Sequence, residues 1–590
     1  MPIGGPTQVI SETAASGAPE PPRTAAWEIR SLALLLLVFS ILLVSIAWRT
    51  GVTIDEPLHL LSAHLYWKGA DNLFPGDMPP AIKIVGGWVS HFFPVPVPYD
   101  NKQLWDSRIE WEIAREMMAR LRAPLLQQIF FYSRLPMIVF PLLTCITLWW
   151  WARRLFSPRV GILIAILFCL SPTVLAHGAL FKNDMAASFG YLIFWCRAWV
   201  YWRDPSRRNA VWLGAGLLVA ILAKLSLLIL LPVAPMILLG CYFATPARSL
   251  RGLAIHVVLL VAVTYAGIAA AWQFRIGVVS TVDLQNWRAN PRIARWIPIA
   301  ANLLRIVPTP PRLRQGVISL VESNASDNGI YLLGRVYPGG HPLYFLVAMA
   351  TKIPLPTQLL LGAALFLLSL DLARRHFRYT DWFWLVPPVL YLLLASVSSL
   401  QLGLRLVLPA LAFFALWSGR AIEFLLKRRE TAAVLGLLAL WLGARTAFQY
   451  PHYIAYFNAL AGGSDKGIQY LSDSNLDWGQ DLPALADYLR RNKTLRVKLA
   501  YFGNDNPYGY IPEQRLTPIA APWNASLATV SRLKPEPGYY AISATLLTGQ
   551  FFDPRFRDYY QAFREKVPIA KAGYSIFIYR VQEGTRRARY

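Results

Sequence analysis

Stretches of mostly apolar residues alternate with short polar connections through most of this chain. They lie near 31–48, 131–151, 159–176, 185–202, 210–225, 227–244, 253–274, 355–372, 383–400, 403–423 and 431–449. Each approaches the roughly 20 residues that an α-helix needs to cross a bilayer core. The pattern predicts about eleven transmembrane helices, with 210–244 readable as one broken helix or two short ones. Three connections are long: about 49–130, about 275–354, and everything after about 450.

Shorter periodicities shape those connections. In the first, Trp105, Ile109, Ile113, Met117 and Leu121 recur every four residues, with Arg108, Glu110, Arg115, Glu116 and Arg120 on other faces. That stripe suits a helix lying in the membrane interface, and equally one packing on its own loop. The second connection mixes turn residues with aromatics, then runs into an apolar stretch before Lys352, predicting an extended loop and a short interfacial helix. Past about 450, Leu482, Leu485 and Leu489 mark one helix face, and VKLAYF, GYYAISATL and SIFIYRV read as strands between Pro- and Gly-rich turns. This is the pattern of a small α/β domain over 450–590. Residues 1–25, rich in Ala, Pro, Gly, Ser and Thr, read as a disordered cytoplasmic tail, and 31–48 as a retained helix rather than a cleaved signal.

Charge orients the helices. Arg153, Arg154 and Arg159 fall in one connection, and Arg203, Arg207 and Arg208 in the next alternate one. Arg248 with Arg251, Arg374 with Arg375 and Arg378, and Lys427 with Arg428 and Arg429 continue the series. All share one side if the N-terminus is cytoplasmic, and an odd number of spans then puts the three long connections outside.

Composition agrees: of 590 residues, 55% are hydrophobic and only 15% charged, with mean hydropathy +0.38. The net charge of +25 resides in clusters between apolar runs, the positive-inside pattern, which argues against nucleic-acid binding. Cys145, Cys169, Cys196 and Cys241 fall within or beside apolar spans and lack paired metal spacing, so neither a disulfide framework nor a zinc site is expected. Two Asn-Ala-Ser triplets, at Asn324 and Asn524, match a glycosylation acceptor at a chance frequency and carry no assigned function.

The chemistry concentrates in the first long connection, TIDEPLHLLSAHLYW…DMPPAIKI. Adjacent carboxylates straight after a membrane span, Asp55 and Glu56, read either as a functional pair or as the cap of a helix beginning near Pro57. His59 falls in the first turn of that helix. DEPLH resembles a zincin motif only superficially: Asp55 stands where the first histidine belongs, and His59 and His64 are five residues apart, off the helical repeat. A divalent ion on Asp55 and Glu56 is conceivable but not implied. On the same outer side lie Asp184 and Lys352, with Lys224 and Arg405 at span ends. Cations there suit a phosphate leaving group on which charge develops, and a carboxylate suits proton abstraction from an acceptor. Asp473, Asp477, Trp478, Gln480 and Asp481 form an acidic-aromatic cluster that reads as sugar or acceptor binding or as helix capping.

DEPLH…YW…DMPPAIK, RLPM at 134–137, LSPTVLAHGALFKND at 170–184, LAKLS at 222–226 and LGLRLVLPALAF at 402–413 occur in an order that resembles the glycosyltransferase 39 group. That group includes protein O-mannosyltransferases and lipid A aminoarabinose transferases. LDWGQDL and the closing GYSIFIY are similar to bacterial members with an outer C-terminal domain. The resemblance implies a GT-C fold over 26–449, a bacterial inner-membrane location, and a polyprenyl-phosphate-linked sugar as donor, transferred with inversion to a protein, lipid or glycan. By matching position it implies Asp55 as general base and Glu56 as its supporting acid. Asp77, Asp184, Lys224, Lys352 and Arg405 are the substrate-binding candidates, and His59, Asp477 and Trp478 the acceptor-side ones. Met78 departs from the pattern, since many relatives carry His or Lys there. A transporter of lipid-linked sugars is the alternative; internal repeats would favour it, and none is visible.

Overall fold

The computed structural model describes residues 24–70, 78–245, 249–290, 305–324, 329–519, 521 and 532–582. Most of the expected N-terminal tail, Asp77, Arg248 and Asn524 lie outside these residues. All eleven apolar segments are helical. They are α1 (Ala26–Arg49), α2 (Leu125–Leu155), α3 (Pro158–Cys169 with Pro172–Gly178), α4 (Asp184–Arg203), α5 (Arg207–Ala223) and α6 (Leu225–Ala244). Then follow α7 (Leu250–Ala271), α8 (Leu355–Ala373), α9 (Tyr379–Val397), α10 (Leu404–Leu425) and α11 (Arg429–Gln449).

Among the described residues, eight of these are long and apolar enough to cross a membrane, and a ninth if the bent α3 counts as one span. α1, at 24 residues, reaches about 36 Å at 1.5 Å per residue. Its Leu34 is 63% exposed, as are Phe366 of α8 (64%) and Leu440 of α11 (71%). Apolar side chains left outward on helices of this length have lipid as their solvent. Of the other two, α4 is buried along most of its length and packs on α2, α5 and α10, while α5, 17 residues long, packs on α4 and α7 and leaves Trp212 exposed. There Gly190 permits the close crossing with α5, because a Cβ would stand 2.7 Å from the Ala220 Cα. α3 bends by 65° where Ser171 turns extended ahead of Pro172. The Leu170 carbonyl at the bend accepts from Thr446 Oγ1 of α11 (2.8 Å), so the break leaves it satisfied.

The bundle has two chemically distinct ends. At one, Glu28 opening α1 pairs with Arg153 closing α2 (3.0 Å), and Asp371 closing α8 pairs with Arg420 near the end of α10 (2.6 Å). Tyr201 near the end of α4 meets His256 near the start of α7 there (2.8 Å). The arginine-rich connections Arg153–Arg159, Arg203–Arg208, Arg374–Arg378 and Lys427–Arg429 join helices at this same end. The opposite end gathers the residues after α1, before α4, after α5 and at the start of α10.

That second end carries the irregular structure. Helix Glu56–Trp67 lies beside Glu110–Arg120, on which Ile113 and Met117 are fully buried, as is Leu121 just after it. Arg108, at φ 58°, breaks the predicted stripe after Ser107, and Ile109 is left outward. The stripe therefore serves packing on its own loop. The stretch expected to be an extended loop holds a hairpin, β1 (Ile330–Leu332) and β2 (Arg335–Tyr337), turning through Leu333 and Gly334, both at positive φ. The short helix after it is Tyr344–Lys352.

Near the C-terminus a five-stranded mixed sheet forms in the order β4-β3-β5-β7-β6, from β3 (Val497–Ala500), β4 (Leu516–Pro518), β5 (Gly538–Ser543), β6 (Ala570–Ala572) and β7 (Ile576–Val581). β3 runs parallel to β4 and β5, and β7 antiparallel to β5 and β6. Helix Leu482–Arg491 covers it, with Leu482, Leu485 and Leu489 in one core with Val497, Leu499, Ile576 and Ile578. Edges β4 and β6 have three residues each, too few for an alternation to show in sequence.

Candidate active site

The chain leaving α1 turns at Thr50 and enters helix Glu56–Trp67, where Pro57 needs no backbone partner in the first turn. Asp55 occupies the N-cap position, yet its carboxylate makes no capping bond. It reaches across the bundle instead: Lys182 Nζ donates to Asp55 Oδ2, and Arg405 Nη2 stands 3.7 Å from the same oxygen. The side chain of Asp55 is 19% exposed, against 8% for either cation. Burial alone would raise the Asp55 carboxyl, but Lys182 and Arg405 outweigh it and hold it below the usual range. Burial pulls the Lys182 ammonium down, with Asp55 opposing.

Asp184, opening α4, ties the cations together: Lys224 Nζ is 2.9 Å from Oδ1 and Arg405 Nη1 3.5 Å from Oδ2. Arg405 also donates from Nε to Ser474 Oγ (3.0 Å) and lies 4.3 Å above the Trp478 ring, with Lys182 Nζ 5.2 Å from that ring. Three cations and two ionised carboxylates thus meet over an indole floor.

Glu56 has a different task. Its carboxylate is fully buried and accepts from Arg134 Nε (2.7 Å), Arg134 Nη2 (2.6 Å), Phe181 N (2.9 Å), Thr53 N (2.8 Å) and Thr53 Oγ1 (3.1 Å). Arg134 spends its remaining donors on the carbonyls of Ala47, Thr50 and Gly51. A carboxylate so saturated has no lone pair left for a reacting group; it locks the turn that aims Asp55.

The C-terminal segment clamps the same turn. Gly51 N donates to Gln480 O (2.9 Å), Ile54 N to Trp478 O (3.0 Å), Val52 N to Asp505 Oδ2 (3.0 Å), and Asn504 Nδ2 to Ile54 O (2.9 Å). A Cβ at Gly51 would stand 2.7 Å from Gln480 O and 2.8 Å from Pro483 Cδ. Gly51→Ala is therefore expected to push the turn off its clamp. A loss of about 1–3 kcal/mol, the usual scale of overpacking, should register as a lower midpoint in a thermal unfolding scan in detergent.

Of the residues singled out in sequence, Asp55, Asp184, Lys224, Arg405 and Trp478 converge. Lys352 does not join them: its buried ammonium donates to the carbonyls of Ile454 (2.8 Å) and Asn475 and lies 4.5 Å from the Phe457 ring, and burial lowers it to about 7. In place of the expected substrate-binding role, its ammonium braces the backbone of Ile454 and Asn475. His59 packs against Phe181, with neither ring nitrogen bonded among the described residues, and burial lowers it to about 3, so it stays neutral. Asp477 accepts from Thr545 N (2.8 Å) as part of a buried turn, and burial raises it to about 8. Met78 is partly buried against the main core. Among the described residues no group of acidic, histidine or cysteine side chains has the arrangement of a metal site.

Sequence reasoning passed over Lys182, Arg134 and Ser474. The first two stood inside quoted motifs, and a lone cation beside a long apolar run is the signal that could have found them.

No protein-family model matches the chain, and comparison with curated protein sequences likewise finds no match. Among solved structures the chain is similar to ArnT from Cupriavidus metallidurans bound to undecaprenyl phosphate, at 14% identity and TM-score 0.44, over 94% of this chain and 98% of that one. It is also similar to the Archaeoglobus fulgidus oligosaccharyltransferase, at 13% identity and TM-score 0.39, over 88% and 69%. A third is the S. cerevisiae protein O-mannosyltransferase complex bound to its sugar donor, at 13% identity and TM-score 0.34, over 49% and 40%.

Proposed function

We propose that this protein is an integral membrane glycosyltransferase. It moves a sugar from a polyprenyl-phosphate-linked donor to a protein, lipid or glycan acceptor, with inversion. The observation that carries the reading is the partly exposed Asp55 carboxylate held between Lys182 and Arg405 at one end of an apolar bundle. The donor's phosphate competes with Asp55 for those two cations, so its arrival frees the carboxylate as it fills the site. The acceptor's oxygen attacks the anomeric carbon, the bond to the phosphate oxygen breaks, and its electron pair stays on that phosphate. The acceptor's proton passes to Asp55. Lys182 and Arg405 stabilise the charge left on the phosphate, and Asp184 keeps Arg405 and Lys224 directed at it. Glu56 with Arg134 fixes the turn.

The basic connections lie at the far end of the bundle, which by the positive-inside rule supports an extracytoplasmic site. The test incubates the purified protein with a panel of undecaprenyl-phosphate-linked sugars and membrane extract. One donor should be consumed with release of undecaprenyl phosphate and sugar appearing on an acceptor. No consumption of any donor, together with translocation of the lipid-linked sugar in liposomes, would overturn the reading in favour of a transporter.

A further inference from the structure

Asp473 has no part in the arrangement above, and its placement is unusual. It opens the short turn Asp473–Asn475 at φ 52°, in the left-handed region that non-glycine residues seldom adopt. Its backbone N–H donates to Thr545 Oγ1 (3.2 Å), which holds the turn in that conformation. The side chain is 4% exposed, and its Oδ2 has no hydrogen-bond partner among the described residues. A buried carboxylate oxygen without a donor is costly, so one kept this way points to a donor that arrives from outside the chain.

The surroundings identify that donor. Among the described residues, Arg405, Asp55 and Lys182 are charged side chains that act on Asp473. The next residue, Ser474, accepts from Arg405 Nε, and Trp478 of the same segment lies under the Arg405 guanidinium. The segment thus walls the site on the Arg405 side, where the phosphate is placed. In a polyprenyl-phosphate sugar a single oxygen joins phosphate to ring, so a hydrogen-bond acceptor beside the phosphate's arginine stands within reach of the ring's hydroxyl or ammonium groups.

We propose that Asp473 is a sugar-recognising residue, its Oδ2 accepting a hydrogen bond from the ring of the lipid-linked donor. This rests on the glycosyltransferase reading above. Burial pushes the carboxyl up to about 7, with Arg405 opposing and Asp55 adding to the rise, so a hydrogen-bond donor from the sugar also stabilises its ionised form.

The test measures binding of undecaprenyl phosphate and of a panel of undecaprenyl-phosphate sugars to the full-length protein in detergent. Asp473→Gly suits the positive φ and removes the carboxylate. Asp473→Asn keeps the shape and tolerates the same backbone. Wild type should bind one sugar-bearing lipid at least about ten-fold tighter than the bare lipid phosphate, the scale of a hydrogen bond to a charged group. Asp473→Gly should bring the two affinities together by weakening the sugar-bearing lipid, with bare undecaprenyl phosphate bound at least as tightly as by wild type, and Asp473→Asn between. Full discrimination in Asp473→Gly would overturn the proposal and leave the glycosyltransferase reading standing. Binding of neither lipid class by wild type would overturn that reading itself.

Discussion

Asp55→Asn should lower sugar transfer by about 10²- to 10⁴-fold, the range a positioned general base contributes. Asparagine fills the same volume and accepts a hydrogen bond from Lys182, so the turn after α1 keeps its shape; only the basic oxygen is lost. Donor binding should move the other way. In the wild type Lys182 and Arg405 are drawn to Asp55 Oδ2, and a phosphate has to displace it. With a neutral amide in that place the cations are free for phosphate, and undecaprenyl phosphate should bind at least as tightly as before. Single-turnover transfer and equilibrium binding on the same preparation check both parts. Turnover equal to wild type would remove Asp55 from catalysis, and a parallel loss of binding would reassign it to holding the cations in place.

Arg134→Met should be the most damaging substitution for stability. The arginine makes two bonds to Glu56 and three to the carbonyls of Ala47, Thr50 and Gly51, all at 2.6–2.8 Å. Methionine strands the Glu56 carboxylate at zero exposure, which costs about 3–5 kcal/mol. The unfolding midpoint in detergent should fall steeply, and activity with it. Adding Glu56→Gln removes the stranded charge and should recover part of the midpoint, while the three carbonyls stay without their donor. A double variant no more stable than Arg134→Met would show that the charge is not the origin of the loss.

Much of the bundle was legible because lipid demands a long uninterrupted apolar run, and such runs are visible one residue at a time. The site was legible where a charge interrupted one: Lys224 in LAKLS and Arg405 in LGLRL had no reason to sit there except a partner. Lys352 looked the same, but chain position does not say which way an ammonium points, and this one turned to two carbonyls. Arg134 passed as a flanking cation, since a guanidinium that braces a turn and one that faces water have the same neighbours in sequence. In sequence Asp473 belongs to an acidic-aromatic cluster that reads as sugar or acceptor binding or as helix capping, and Ser474 carries no signal. They are a turn; that it docks on Arg405, 69 residues before Ser474 in the chain, is a fact of tertiary packing with no local signature. The stripe ending in Leu121 was ambiguous because lipid and protein core ask for the same apolar face.

The turn before Asp55 is pinned by Trp478, Gln480 and Asp505, more than 400 residues further along the chain. During synthesis α1 enters the membrane first, yet the backbone that aims Asp55 acquires its last hydrogen-bond partners only when the sheet domain is made and docks. Until then the helices can be inserted while the turn that carries Asp55 lacks these partners. A chain stopped short of residue 470 would keep all the apolar helices and lack the partners that pin this turn. Under the proposed glycosyltransferase reading, that order of assembly acts as a delay: a half-finished copy cannot use the lipid-linked donor.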